Sequence, residues 1–398
     1  MRTNLLSLFL EINRKDFIFV VGDRKEDNEF NLLYSKTISQ DGFKENKIIS
    51  VELVYKIFKE NIYLIEQKFN CVFEEIIVVI NNFNCSLINF SGFKKLNGSQ
   101  LSKSSVDYII NSLKSKISEI EKYKIILHIF NSKFLLDKKK IENLPIGLFG
   151  NFYSQELSFF LIDKNDFKNL KNILNKCILR IKKIISKNFI EGVKIINDHY
   201  DEDTFFKIDI NETHTEIFFF ENSVLKFSQN FQFGTKLILN DISKVIALDT
   251  NIVNNILHNS NMSKQSKEKE FIEREFFKNQ NFRKIKKSLV FDIARARIQE
   301  IAELVFIKNI NIKSFLKENL TLFLNIEDSS SLKCFELLYK DEFSQKNKFK
   351  VKLFNKFEIN DFYENADKIV QYGWKKEALP FVQEKKSFIA RFFDLIFK

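Results

Sequence analysis

Proline and glycine are scarce in this chain, with two prolines and nine glycines in 398 residues. Collagen-like and Pro/Gly-rich disordered chains are thereby excluded, and few loops can bend on glycine alone. Cysteine and histidine are equally sparse. Cys71, Cys85, Cys177 and Cys334 are far apart with no Cys-x-x-Cys pair, and His128, His199, His214 and His258 are scattered. A disulfide scaffold and a structural zinc site are excluded, so reduced thiols and no metal site are expected. No run of about 18 apolar residues occurs, and no membrane-spanning helix is expected. The apolar run at residues 5–10 is stopped by Glu11 and lacks a small-residue cleavage site, so it reads as a strand and not as a signal peptide.

What is abundant is apolar and charged surface: 44% hydrophobic residues, 46 of the side chains phenylalanine, and 29% charged. That is enough to bury more than one compact lobe. The balance of 63 basic against 52 acidic side chains, +11 in all, favours an anionic partner. Nucleic acid is not expected, because the basic residues are spread along the chain and no recognition module appears.

Short alternating runs, LSLFLEI, DFIFVV and EFNLLYSK, predict a meander of three strands, followed by a helix over SVELVYKIFKENIYLIEQKF and a buried strand EEIIVVI. Residues 84–163 read as strand, helix (LSKSSVDYIINSLKSKI), strand (KIILHIF), strand (SKFLLD) and strand (ELSFFLI), a small α+β subdomain inserted in the first unit. A long basic amphipathic helix over 165–187 and a further strand lead to a second meander, TFFKIDI, HTEIFFF and SVLKFSQNFQF. Then come a helical segment near 237–257, a polar stretch over 260–287, a helix VFDIARARIQEIAELVF, a strand TLFLNI, a helix after Ser329, a strand KVKLF, and a helix over 362–379.

The second meander repeats the first. In each, a strand ends in a carboxylate, an isoleucine and an asparagine, Glu11-Ile12-Asn13 and Asp209-Ile210-Asn211, then turns and re-enters a strand. Two copies of one α/β lobe are suggested.

Two such lobes with a subdomain inserted in the first resemble the actin-like ATPases. The segment ILHIFNSKFLLDKKKIENLPIGLFG, with His128, Asp137, Pro145, Gly147 and Gly150, looks like the VLHVIPQ…D…I…P.G.SG block of their FtsA family of bacterial division proteins. LFLEIN with VVGD, KIDINETHTEI, FGTKLILNDIS, IARARIQEIAELV and ADKIVQYGWKKEA resemble further family segments in the family's order. The resemblance implies an α/β, two-lobed actin-like (ribonuclease H-like) fold with an inserted α+β subdomain and a C-terminal amphipathic helix. Its boundaries would be 1–83 for the start of the first lobe, 84–163 for the insertion and 164–188 for a return helix. The second lobe would span 189–361, with a subdomain near 236–312; 362–380 would close the first lobe, and 381–398 would be linker and membrane-targeting helix.

It also implies Mg·ATP, with Glu11, Asp209, Thr215, Glu216, Gly234 and Asp241 at positions resembling the nucleotide-binding ones. Glycine-rich phosphate loops let backbone N–H groups approach the β- and γ-phosphates. Here Asn13-Arg14 and Asn211-Glu212-Thr213 stand in their place, and the adenosine-contacting element is reduced to NIEDSSS over 325–331. ATP is therefore expected to bind weakly or not at all, and no catalytic residue is assigned.

The last residues carry their own argument. At about 100° per residue, Phe388, Ile389, Phe392, Phe393, Leu395, Ile396 and Phe397 share one face, with Ser387, Arg391, Asp394 and Lys398 opposite. So short a helix is unstable alone in water, and flanking Lys385, Lys386 and Lys398 favour an anionic membrane interface. The tail also resembles the FtsA membrane-targeting helix. What the resemblance implies is an adaptor tying the tubulin-like protein FtsZ to the cytoplasmic face of the inner membrane at the division site. The FtsZ C-terminal peptide would meet Arg297 and Glu300, later division proteins would meet the inserted subdomain, and the chain could self-polymerise. The alternatives are a pilus-assembly type actin-like scaffold and a still-active actin-like ATPase.

Overall fold

Each lobe is built outward from one hairpin. The computed structural model describes residues 6–24, 29–44, 46–81, 83–259, 270–277, 281–326, 335–345, 349–354 and 357–378. Strand Ser7–Ile12 pairs antiparallel with Asp16–Arg24, which pairs antiparallel with Phe30–Ser39. On its other side Ser7–Ile12 runs parallel to Glu75–Ile80, which runs parallel to Arg180–Ser186. The second sheet has the same order and the same directions. Phe205–Ile210, Thr215–Glu221 and Val224–Phe231 form its meander, and Thr321–Ile326 and Lys350–Leu353 add the parallel strands.

Even the turns agree. The N–H of Asn13 donates to the carbonyl of Asp16 at 2.9 Å, and the N–H of Asn211 donates to that of His214 at 2.9 Å. No residue of 13–15 or 211–214 has a positive φ, so neither turn requires glycine. The opening strand of each meander has parallel and antiparallel neighbours and is buried along nearly its whole length.

Helix Val51–Phe69 starts at Ser50, whose side chain accepts from the Leu53 N–H, and stops at Asn70 in the left-handed region. Its Val54, Phe58, Ile62 and Ile65 enter the first core. Helix Lys187–Asp198 joins the lobes. Phe189, Ile190 and Val193 are buried in that core, and Gly192 lies so close to the Phe220 ring that a Cβ would stand 2.0 Å from it.

In the insertion, Cys85–Lys95, Phe152–Asp163, Lys124–Leu136 and Lys139–Ile141 form a four-stranded sheet in that order, and helix Lys103–Ile120 packs against it. The insertion is also tied to second-lobe strand Val224–Phe231. Buried Lys226 donates to Ser132 Oγ at 2.6 Å and pairs with Glu156, while Asn89 Nδ2 donates to the Lys226 carbonyl at 3.0 Å.

Five differences from the sequence reading stand out. The single helix expected over 165–187 is helix Lys164–Lys176 followed by strand Arg180–Ser186, and the strand expected next is helix Lys187–Asp198. The helix breaks where Ile178 takes φ 62, and parallel pairing with Glu75–Ile80 then outweighs the helical preference of a Lys/Ile-rich stretch. KIILHIF and SKFLLD are one strand, Lys124–Leu136, kept in register by irregularities opposite Phe160/Leu161 and Glu156/Leu157. The segment near 237–257 is two helices, Lys236–Ile246 and Thr250–Asn259, parted at left-handed Ala247. The closing helix is Ile359–Tyr372, stopped by Gly373 at φ 72. The amphipathic tail and most of the NIEDSSS segment lie outside the described residues.

Residues 374–378 fasten three parts together. Trp374 Nε1 donates to the Ser223 carbonyl of the second lobe at 3.1 Å. The backbones of Lys376 and Ala378 pair with Asn131 and Ile129 of the insertion, and Glu377 meets buried His128 at 2.9 Å and first-lobe Lys183 at 2.9 Å. Burial pushes the Glu377 carboxyl up, but His128 and Lys183 outweigh it and hold the group at about 2. A lowered carboxyl stabilises the fold above its unfolded value near 4.5 and loses that contribution as pH falls toward 2. Glu377→Gln is expected to cost about 3 kcal/mol at neutral pH, and the deficit should shrink on acidification in urea-unfolding curves taken at several pH values.

Candidate functional site

The two hairpin ends meet where the lobes face each other. Glu11 and Asp209 are both the fifth residue of a six-residue strand, so the repeat puts a carboxylate at the same level in each lobe. Glu11 is buried. Its Oε1 accepts from Lys187 Nζ at 2.8 Å and its Oε2 accepts from the Tyr363 hydroxyl at 2.6 Å. Burial raises the Glu11 carboxyl, yet Lys187 and the hydrogen bonds from Lys187, Tyr363 and Asn13 outweigh it and hold the group below its ordinary value. Burial, together with the Glu11 carboxylate, pushes the Tyr363 phenol up.

Asp209 is answered by Lys207, two residues earlier on the same face of the strand. Lys207 has no exposed side-chain surface. Its ammonium also meets Glu191 at 2.6 Å and Asn188 Oδ1 at 3.2 Å, and lies 5.2 Å from the Phe218 ring centre. Burial alone would lower its pKa, but Asp209 and Glu191 outweigh that and raise it. Asn325, on the neighbouring parallel strand, donates to the other Asp209 oxygen at 3.1 Å.

Glu216 stands directly across the hairpin from Asp209. Burial raises its carboxyl; Arg14, reaching from the first-lobe turn to 2.7 Å, opposes that rise. At the rim, Lys15 and Glu212 approach to 3.5 Å. Buried Thr215 donates its hydroxyl to the Phe233 carbonyl at 2.8 Å. Gly234 presses on the second turn, where a Cβ would come 2.1 Å from the Asn211 carbonyl oxygen. The carbonyls of Asn211 and Glu212 accept from the N–H groups of Thr235 and Lys236 at 2.9 Å each, so these N–H groups at the start of helix Lys236–Ile246 serve the turn.

The structure thus gathers Glu11, Asp209, Thr215, Glu216 and Gly234 around the two hairpins. Asp241 is engaged elsewhere: Arg297, on helix Lys287–Ala302, binds it and also reaches Glu300 at 2.6 Å. Two residue sets that the sequence kept apart, one for nucleotide and one for a partner, therefore touch. The hydrogen bond that Arg297 donates to Asp241 raises the Arg297 pKa. Sequence reasoning did not pick out Lys187, Lys207, Asn188, Glu191 or Tyr363, and it reached Asn325 only as the first residue of the NIEDSSS segment. A usable signal was Lys207 in the strand FFKIDI, since a lysine amid an unbroken apolar run is rarely left without a counter-charge.

No family model and no curated protein sequence matches the chain. Among solved structures, a chain of the PilM–PilN type IV pilus biogenesis complex aligns over 93% of this chain and 96% of its own, with a TM-score of 0.53 at 12% identity. The fold is actin-like. At that identity the likeness is one of fold alone, and it agrees with the repeated sheet topology; it is the Arg14–Glu216 and Lys15–Glu212 contacts that set the two hairpins between the lobes. Weaker likenesses are MreB 5 of Spiroplasma citri bound to AMPPNP, with a TM-score of 0.45 at 8% identity over 93% of this chain and 96% of that one. Ethanolamine utilization protein EutJ from Carboxydothermus hydrogenoformans follows, with a TM-score of 0.43 at 10% identity over 92% and 90%. Among the described residues, no helix is long and apolar enough to cross a membrane.

Proposed function

We propose that this actin-like chain is a division adaptor of the FtsA kind, which carries FtsZ filaments on a membrane surface and acts as a scaffold without turning over ATP. The observation that carries the reading is the outer side of helix Lys287–Ala302. Val290, Phe291, Ala294, Ile298 and Ile301 bury its inner side, leaving Arg295, Ala296 and Glu300 exposed and Arg297 partly so. This is the segment IARARIQEIAELV, which resembles the family's FtsZ-binding helix. An arginine fork beside a carboxylate suits capture of a peptide that carries both charges. The amphipathic residues Phe388 to Lys398 support the membrane half of the reading from sequence.

Arg297 is not idle in the free protein, because Asp241 holds it. An acidic peptide must therefore compete with Asp241. Asp241→Asn is expected to tighten binding of an FtsZ C-terminal peptide several-fold, and Arg297→Ala to weaken it by about tenfold or more, for a loss near 1.4 kcal/mol. Fluorescence anisotropy with labelled peptide reads both. Unchanged affinity in both variants would assign Arg297 to holding two helices together and leave the FtsZ reading without its contact.

A second reading is a pilus-assembly type scaffold, favoured by the likeness to the PilM–PilN chain. It shares the fold and needs no membrane-binding tail.

A further inference from the structure

The actin-like fold implies a divalent cation and a polyphosphate between the two hairpins, and the residues present do not suit that pair. Each carboxylate that could approach the metal or its water shell already has a cation from the chain. Glu11 has Lys187, Asp209 has Lys207, Glu216 has Arg14, and at the rim Glu212 has Lys15. Among the described residues, no three of His, Cys, Asp and Glu converge as metal ligands. A polyphosphate entering here would meet the carboxylates of Glu212 and Glu216, and two helix-start N–H groups near it are turned to carbonyl oxygens.

The direction of these contacts matters more than their number. Arg14 and Lys15 belong to the first-lobe turn, while Glu216 and Glu212 belong to the second-lobe hairpin. Both pairs therefore span the space between the lobes. Behind them, helix Lys187–Asp198 sends Lys187 to Glu11 in the first sheet, and Asn188 and Glu191 to Lys207 in the second. One helix thus binds both strand-end carboxylate sites, directly in one lobe and through a buried ammonium in the other.

We propose that this chain closes its lobes with its own cations: Lys187 and Lys207 neutralise the two strand-end carboxylates, and the Arg14–Glu216 pair spans the gap a nucleotide would bridge. Closure is then constitutive and indifferent to Mg·ATP. The inference stands apart from the FtsZ reading, since it concerns the state of the lobes and not what they carry. Its salt dependence is graded. The exposed Lys15–Glu212 pair is screened readily, whereas Arg14–Glu216, with side-chain exposures of 26% and 14%, resists screening.

The test uses the full chain. Hydrogen exchange at residues 13–16 and 211–216 and the thermal midpoint are followed with and without Mg·ATP, and direct binding is read by equilibrium dialysis of labelled ATP. The expected result is no retained ATP, no change in midpoint, and unchanged exchange in both turns. Arg14→Glu should speed exchange in both turns by roughly tenfold, and the reversed pair, Arg14→Glu with Glu216→Arg, should restore most of the protection. Because Arg14→Glu introduces a repelling charge, Arg14→Gln serves as the milder variant and should give an intermediate acceleration. Saturable ATP retention with a raised midpoint would overturn the proposal. So would a folded Arg14→Gln protein whose second-lobe turn exchanges no faster than the wild type.

Discussion

Lys207→Met should destabilise the protein by about 3 to 5 kcal/mol at neutral pH, because it leaves Asp209 and Glu191 buried without their shared cation. The substitution nearly preserves volume, so the loss reports charge and not a cavity. Its pH dependence has a definite sign. Burial and nearby Asp209 already raise the Glu191 carboxyl, with Lys207 opposing, and removing Lys207 raises it further. A carboxyl raised in the folded state takes up a proton on folding, so the variant should regain stability as pH falls through that value, by more than the wild type, whose Glu191 is raised less. Adding Glu191→Gln and Asp209→Asn should recover much of the loss at neutral pH. Urea unfolding followed by circular dichroism at neutral and mildly acidic pH measures all of these. A loss below about 1 kcal/mol would mean that the triad is not an interdependent buried cluster.

The largest effect on activity is expected at the tail. Phe392 and Phe393 lie on the apolar face of the amphipathic sequence. Burying each in an interface contributes up to about 1.5 to 3 kcal/mol, and a glutamate in its place adds repulsion from anionic lipid. Phe392→Glu with Phe393→Glu should therefore reduce partitioning onto anionic vesicles by about 100-fold or more, 1.4 kcal/mol being tenfold. Partitioning of the wild type should also fall with added salt, because Lys385, Lys386, Arg391 and Lys398 supply part of the attraction. Vesicle flotation measures both. Undiminished flotation of the double variant would move the membrane contact elsewhere on the chain.

Much of the fold could be read from pattern alone. Strand Phe30–Ser39 alternates on a two-residue repeat, the buried strands show as short apolar runs between polar turns, and the acidic-Ile-Asn ends mark equivalent turns whose hydrogen bonds match. Reading failed where lysine and isoleucine mix over 165–198, since neither residue type decides between helix and strand there. The outcome rests on parallel pairing with Glu75–Ile80 and on a left-handed Ile178, which are tertiary facts. The candidate site divides in the same way. Its carboxylates were legible because the repeat places them. Their cations were not, since Lys187 and Lys207 are two among 63 basic residues, and only the fold brings them to Glu11 and Asp209. Asp241 illustrates the converse: motif order set it beside a nucleotide, while helix packing sets it on Arg297.

Co-sedimentation of FtsZ with anionic liposomes tests the adaptor claim most directly, using the full chain with and without Mg·ATP beside a version ending at Val382. The account predicts that the full chain carries FtsZ down equally well with and without nucleotide, and that the shortened chain leaves FtsZ in solution. If the full chain sediments with lipid but leaves FtsZ behind, or never reaches the lipid, the adaptor reading is contradicted and the pilus-type scaffold becomes the better account of this fold.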